Sequence, residues 1–348
     1  MELSAGTLWR MRRIADEDGY LTMLATDQRP PIERLVAKQR GESSPRYDDL
    51  AAVKRALITE LGPHASAILV DPLVGYPAAI DQVNPHRGLL VTLEHAVYNE
   101  SSEGRRSGPI PGWSVEAIAR LGADAVKVLA WYRPDASEAV RIHQQEWVAE
   151  VAASCRTHDL PFLFELLVYP FSAGEGAGDS YAEDRSKRAE AVIESVETFA
   201  DPRFGVDVFK LESPIPASLL PDPDADVDTT QGTFDALGRA AGRPWVVLSA
   251  GAGPEEFRRV VTYASRAGAS GFLAGRAIWW EALAHFPDLD RFVADLRSSA
   301  VPYLQSLTDL VRREATPWFR HSRFADDALQ KPKEPPEWYR RYGGSRAR

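Results

Sequence analysis

The chain has 348 residues, 44% of them hydrophobic, with a formal net charge of −9 and an isoelectric point near 5.4. That size supports one large core or two ordinary ones, and the acidity excludes nucleic acid and anionic membrane as general partners. A single cysteine, Cys155, rules out an internal disulfide and fits a reducing compartment.

The N-terminal Met1-Glu-Leu-Ser-Ala-Gly6 has neither a basic stretch nor a long apolar core, and no apolar run approaches the roughly 18 residues that span a bilayer. A cytoplasmic, soluble protein is expected. Short apolar runs then alternate with helical patterns along the chain. The predicted strands are 20–26, 65–70, 89–93, 125–131, 162–168, 206–211, 245–248 and 271–273. Most are rich in Val, Ile, Leu and Phe with little polar alternation, as in parallel strands covered on both faces.

Between them, Asp48 and Asp49 open a helical pattern of Leu50, Val53, Leu57 and Leu61 closed by Gly62. Longer patterns run over 135–158, which carries Cys155 as a small buried side chain, and over 182–199. Pro254, Glu255 and Glu256 open another helix, with Phe257, Val260, Val261 and Ala264 on one face and Gly268 at its exit. The Gly-, Ser- and Pro-rich stretch 99–112 and the acidic, Pro-rich stretch 216–230 read as loops. The basic tail from Lys331 reads as mobile, its Trp338-Tyr-Arg-Arg-Tyr342 included.

Eight strands alternating with helices predict a (β/α)8 TIM barrel over residues 1–330, an α/β fold, with 331–348 as a tail. Asp27-Gln-Arg-Pro30 stands after the first strand, where a dinucleotide fold would carry its glycine fingerprint.

Such a barrel bears its site at the C-terminal strand ends. Asp27 and Asp71, the latter a candidate substrate-binding residue, end the first two predicted strands, and Glu94 follows the third. Lys127, Glu165 and Lys210 lie within the fourth, fifth and sixth. Ser249 ends the seventh, and Gly275 and Arg276 follow the eighth. Each has a plainer reading: an edge or snorkelling lysine, a capping Asp27, a turn aspartate at Asp71, a lysine-holding Glu94.

Taken together, two lysines in apolar strands with a carboxylate between them point to chemistry. A buried ammonium costs several kcal/mol unless it is paired or loses its proton. A desolvated lysine beside a second cation becomes a nucleophilic amine, which suggests Schiff-base chemistry on a carbonyl. The apolar strand around Glu165 is expected to raise its pKa. Ser249-Ala-Gly-Ala-Gly253, the helix opened by Pro254, and Arg276 suit a phosphate group. The seven histidines, His86 and His95 among them, lack metal-ligand spacing, so no metal is expected.

The chain resembles the class I tagatose-1,6-bisphosphate aldolases, lysine-dependent barrel aldolases, over roughly residues 15–320. The matching segments are Ala25-Thr-Asp-Gln-Arg29, Leu69-Val-Asp-Pro72, Gly75-Tyr-Pro-Ala78, Ala123-Asp-Ala-Val-Lys127 and Leu160-Pro-Phe-Leu-Phe-Glu165. Val206-Asp-Val-Phe-Lys-Leu-Glu-Ser-Pro214, Leu248-Ser-Ala-Gly251, Gly275-Arg-Ala-Ile-Trp279 and Ala315-Thr-Pro-Trp318 follow in order.

The resemblance implies Lys210 as the Schiff-base lysine, Glu165 as the proton-transfer carboxylate and Lys127 as the neighbouring ammonium. Asp27 would bind substrate hydroxyls and the lysines. Ser249, Gly251, Gly275 and Arg276 would hold the carbon 1 phosphate, with Gln28 and Arg29 near the rest of the sugar. The chain departs from the family at Pro30-Pro31, at Arg133 and in the acidic stretch 221–230.

The implied reaction cleaves a ketose 1,6-bisphosphate such as tagatose 1,6-bisphosphate to dihydroxyacetone phosphate and glyceraldehyde 3-phosphate, with no cofactor. An alternative substrate is 6-deoxy-6-sulfofructose 1-phosphate, giving sulfolactaldehyde; Arg29, Arg105 and Arg133 are candidates for that choice. Readings from other classes are a non-catalytic sugar-phosphate-binding regulator and a barrel isomerase or epimerase. A homo-oligomer is compatible with the family.

Overall fold

The computed structural model describes residues 3–169, 188–225 and 228–321. Its strands are β1 (Leu21–Ala25), β2 (Ala67–Val70), β3 (Gly88–Thr92), β4 (Asn99–Ser101), β5 (Gly104–Arg106), β6 (Ala125–Trp131), β7 (Phe162–Leu167), β8 (Val208–Leu211), β9 (Trp245–Val247) and β10 (Gly271–Ala274). Eight of them close a barrel in the order β1-β10-β9-β8-β7-β6-β3-β2, every pairing parallel. All eight are strands expected from the sequence. β2 and β8 each start two residues later than predicted; β8 starts at Val208 because Asp207 instead brackets Phe162, accepting its N–H at 2.9 Å and donating its own to the Phe162 carbonyl at 3.0 Å.

Side-chain alternation sorts each strand into two apolar faces. The outward row, with Phe162, Phe164, Val126, Val128 and Phe209, packs under the helical layer. The inward row includes Leu21, Met23, Leu69, Leu90, Leu163, Val208 and Leu273, and Met11, Ile14 and Trp318 plug its N-terminal end. Burying each such side chain contributes about 1.5–3 kcal/mol. Charge interrupts the inward row at Lys127, Glu165 and Lys210, between the apolar floor below and Leu129, Trp131 and Leu167 further along the strands.

The helices follow their sequence punctuation with local shifts. Tyr47–Leu61 buries Leu50, Val53, Leu57, Ile58 and Leu61, and Gly62 passes into a short 3-10 turn. Glu138–Thr157 starts after Ser137, whose hydroxyl accepts from the Val140 N–H, whereas Asp135 pairs with Arg133. Cys155 lies buried on this helix, and burial pushes its thiol well above the ordinary range. Ala189–Ala200 is the described part of the pattern predicted over 182–199; residues 182–187 and the tail from Lys331 lie outside the described residues. Pro254–Arg266 is capped by the Glu256 carboxylate, which accepts the Gly253 N–H at 3.1 Å.

Two predicted loops hold structure. Within 99–112, β4 and β5 form an antiparallel hairpin. Within 216–230, Ala217–Leu219 forms a 3-10 turn and a helix starts at Asp228.

Candidate active site

Register brings the charged residues together. Glu165 on β7 lies opposite Lys210 on β8, and Lys127 on β6 lies two residues before Leu129, the partner of Glu165. The Lys127 ammonium touches three carboxylates: Glu94 Oε1 at 2.6 Å, Glu165 Oε2 at 2.7 Å and Asp27 Oδ2 at 3.0 Å. Lys210 Nζ donates to the same Glu165 oxygen at 2.9 Å. Arg29 completes the group, with Nη2 3.6 Å from Glu94 Oε1 and Nη1 donating to the Glu94 carbonyl at 3.0 Å. Three cations thus face three carboxylates, and all six residues are buried. That balance is what makes such a cluster tolerable inside a barrel.

The electrostatics correct the expectation for Glu165. Burial opposes its ionisation, but Lys127 and Lys210 overcome burial and hold its carboxyl below the usual range. Burial likewise opposes Asp27, and Lys127, Lys210 and Arg29 hold it well below that range. For Lys127, burial disfavours the ammonium, yet Asp27, Glu165 and Glu94 raise its pKa well above the ordinary value. Lys127 is therefore no bare cation beside Lys210. It is the centre of a carboxylate cage, and Glu165 sits between the two lysines as an anion.

These side chains open on a cleft of about 50 Å³. Asp27, Gln28, Arg29, Glu94, Lys127, Glu165 and Lys210 line one side; Ser249, Gly275 and Arg276 line the other, over Leu129, Leu167 and Leu248. Gln28 Oε1, Arg29 Nε and Glu94 Oε2 are buried there without a hydrogen-bond partner among the described residues. Gly275 is required by close packing: a Cβ would lie 2.4 Å from the Ala25 carbonyl oxygen and 2.9 Å from Gln28 Nε2.

Gly251 lines an adjoining cavity of about 420 Å³ that shares Arg276 with the cleft. Its φ of +88° suits glycine, and a Cβ would stand 3.6 Å from Arg276 Nη1.

Asp71 is not brought to the cleft. Its carboxylate pairs with buried Lys54 and accepts N–H groups of Leu73, Val74 and Gly75 at 2.8–3.1 Å, so the turn reading describes it. Arg133 is engaged by Asp135 and by the Tyr169 carbonyl at 2.6 Å. Arg105 sits on the hairpin under three rings, 4.6 Å from Tyr98, 4.7 Å from Trp131 and 4.8 Å from Tyr169, and its Nε donates to Glu100 at 3.0 Å. Of the three arginines, Arg29 lines the cleft.

A family model described as "DeoC/LacD family aldolase" matches residues 21–281. The chain belongs to this family. The DeoC/LacD member described here is 31% identical over 317 residues to tagatose 1,6-diphosphate aldolase 2 of Streptococcus agalactiae serotype III (strain NEM316), covering 88% of this chain and 96% of the relative. Among solved structures, an archaeal fructose-1,6-bisphosphate aldolase with its catalytic lysine bound to the carbinolamine intermediate matches with a TM-score of 0.55 and 18% identity, covering 88% of this chain and 99% of that one. Fructose-bisphosphate aldolase from Plasmodium falciparum matches with a TM-score of 0.65 and 14% identity, covering 91% and 98%. These two likenesses extend the DeoC/LacD assignment to the barrel fold.

Proposed function

We propose that the protein is a class I aldolase that cleaves a ketose 1,6-bisphosphate, tagatose 1,6-bisphosphate or a stereoisomer, through an imine on Lys210. The observation that carries the reading is the buried Glu165 carboxylate shared by Lys127 and Lys210 in a cleft walled by Ser249, Gly275 and Arg276. The tagatose 1,6-diphosphate aldolases among the relatives support the substrate class.

Lys210, as the free amine, attacks carbon 2 of the open-chain ketose. The resulting carbinolamine loses water to give an iminium. Removal of the carbon 4 hydroxyl proton breaks the carbon 3–carbon 4 bond; its electron pair moves onto the iminium and the aldehyde leaves. The enamine takes a proton at carbon 3, and hydrolysis frees dihydroxyacetone phosphate and Lys210.

Glu165 is ionised at rest, so its first act is to accept a proton from the Lys210 ammonium that it touches. It gives that proton to the carbinolamine hydroxyl as water leaves, then takes the carbon 4 hydroxyl proton and delivers it to carbon 3 of the enamine. Lys127 holds Glu165 and Asp27 as anions and stabilises developing oxyanion charge. Asp27, Gln28 and the unpartnered oxygen of Glu94 face the substrate hydroxyls. Ser249, Gly275 and Arg276, with Gly251 beside the arginine, hold the carbon 1 phosphate.

Arg276→Ala is expected to raise KM for the bisphosphate roughly 10- to 100-fold, the loss of about 1.5–3 kcal/mol of charge-assisted hydrogen bonding. Turnover at saturation should change much less, as steady-state kinetics will read.

The proposal is tested by cleavage rates on tagatose 1,6-bisphosphate, fructose 1,6-bisphosphate and 6-deoxy-6-sulfofructose 1-phosphate, each followed by release of dihydroxyacetone phosphate. Turnover of a bisphosphate is expected. Cleavage of the sulfonate substrate alone would overturn the carbon 6 assignment, and cleavage of none would overturn the aldolase.

A further inference from the structure

Lys54 lies in the middle of the helix Tyr47–Leu61 and is 1% exposed, a rare place for an ammonium. It belongs to the layer between helices and barrel, and it does not line the cleft. Its Nζ pairs with Asp71, which is 0% exposed, and donates to the carbonyl oxygen of Thr26 at 3.0 Å. Thr26 immediately precedes Asp27, the carboxylate that touches Lys127 at 3.0 Å.

The exit of β1 is gripped at successive positions. The Ala25 carbonyl accepts from Trp279 Nε1 at 3.1 Å, on the side of Gly275. The Thr26 N–H and hydroxyl both donate to the Leu69 carbonyl at 2.9 Å. Lys54 then takes the Thr26 carbonyl, so the peptide that carries Asp27 is fixed from the helix layer. Asp71 fixes Lys54 in turn, because its other oxygen is locked by the N–H groups of Leu73 and Val74.

A buried ion pair is a poor source of net stability: apolar residues of similar volume do as well or better. Placement of the Thr26–Asp27 peptide is what a charged pair supplies at this position and an apolar pair would not. We propose that Lys54, held by Asp71, is a positioning residue for Asp27, acting on the reaction through the Thr26 carbonyl without touching substrate. The inference rests on the aldolase reading above.

Lys54→Met alone leaves Asp71 buried without its counter-charge and should lower Tm. The deciding variant is Lys54→Met/Asp71→Asn, which removes both charges. Its Tm should recover to near that of wild type while kcat for ketose bisphosphate cleavage stays at least tenfold down, with KM within about twofold. Should the double variant fail to fold, Lys54→Arg keeps the charge against Asp71 but changes its reach to the Thr26 carbonyl. It is expected to hold Tm and lose kcat.

A folded double variant, or Lys54→Arg, with wild-type kcat would overturn the proposal and leave the pair a matter of packing. Wild-type cleavage, measured in the same assay, separates the two readings. A wild type that cleaves no ketose counts against the aldolase, and an active wild type with an equally active variant counts against Lys54.

Discussion

Lys210→Met is expected to lower kcat for ketose bisphosphate cleavage by at least about 10⁴-fold, because the other lysine that lines the cleft, Lys127, is held as an ammonium by three carboxylates. Methionine matches the lysine stem in length and suits the apolar surroundings, so the side chain still fills its place between β7 and β9. Its effect on folding is set by the charge balance. Removing one cation leaves two against three carboxylates, but Glu165 keeps its 2.7 Å contact with Lys127. A Tm within a few degrees of wild type with activity abolished is the expected pair of results, read by thermal unfolding and by product release. Substantial residual turnover would move the nucleophile elsewhere.

Lys127→Met should be the more disruptive change, although Lys127 makes no covalent bond in the mechanism. The side chain touches Glu94, Glu165 and Asp27, and its loss strands three buried carboxylates with Lys210 and Arg29 as their remaining partners. The expected cost is about 3–5 kcal/mol, the range for breaking a buried ion pair from one side.

The pH dependence has a definite sign. Asp27 and Glu165 have folded pKa values below their ordinary 3.8 and 4.5, so their contribution is present above those values and is lost as pH falls toward the folded ones. Without Lys127 both carboxyls rise, that contribution shrinks, and the variant should unfold at a higher pH than wild type on acid titration. On the alkaline side, the raised pKa of Lys127 gives stability that is full below 10.5 and is lost as pH rises through the folded value. The acid limb of kcat/KM should move upward in pH as well, since Glu165 must be ionised to accept a proton. An unmoved acid limb in Lys127→Met would show that Lys127 does not hold Glu165 down.

The barrel was legible because its strands are buried on both faces and read as unbroken apolar runs; a charge inside one of them, as at Lys127 or Lys210, was conspicuous against that background. The strand-end rule then placed Asp27, Ser249, Gly275 and Arg276 without any knowledge of contacts.

What stayed hidden depended on distance. The hairpin β4–β5 is Asn-Glu-Ser against Gly-Arg-Arg, with no apolar alternation to announce it, and its anchor is Arg105 beneath rings contributed by distant segments. The direction of the Glu165 shift was misread because its apolar neighbours are visible in the sequence, whereas two ammonium groups within 3 Å of its oxygen are not. Lys54 sits in an amphipathic helix where a lysine ordinarily faces water, and only the fold brings Asp71 and Thr26 to it. For Asp71 the residue before Pro72 already suggested a turn, and its three N–H contacts are that turn.

The central claim is a covalent bond at one nitrogen. Wild-type protein incubated with dihydroxyacetone phosphate and borohydride, then digested and mapped by mass spectrometry, should carry the reduced adduct on the peptide containing Lys210, and Lys210→Met should carry none. An adduct on Lys127, or ligand binding with no adduct at all, would contradict the account, the latter favouring a binding protein over an enzyme.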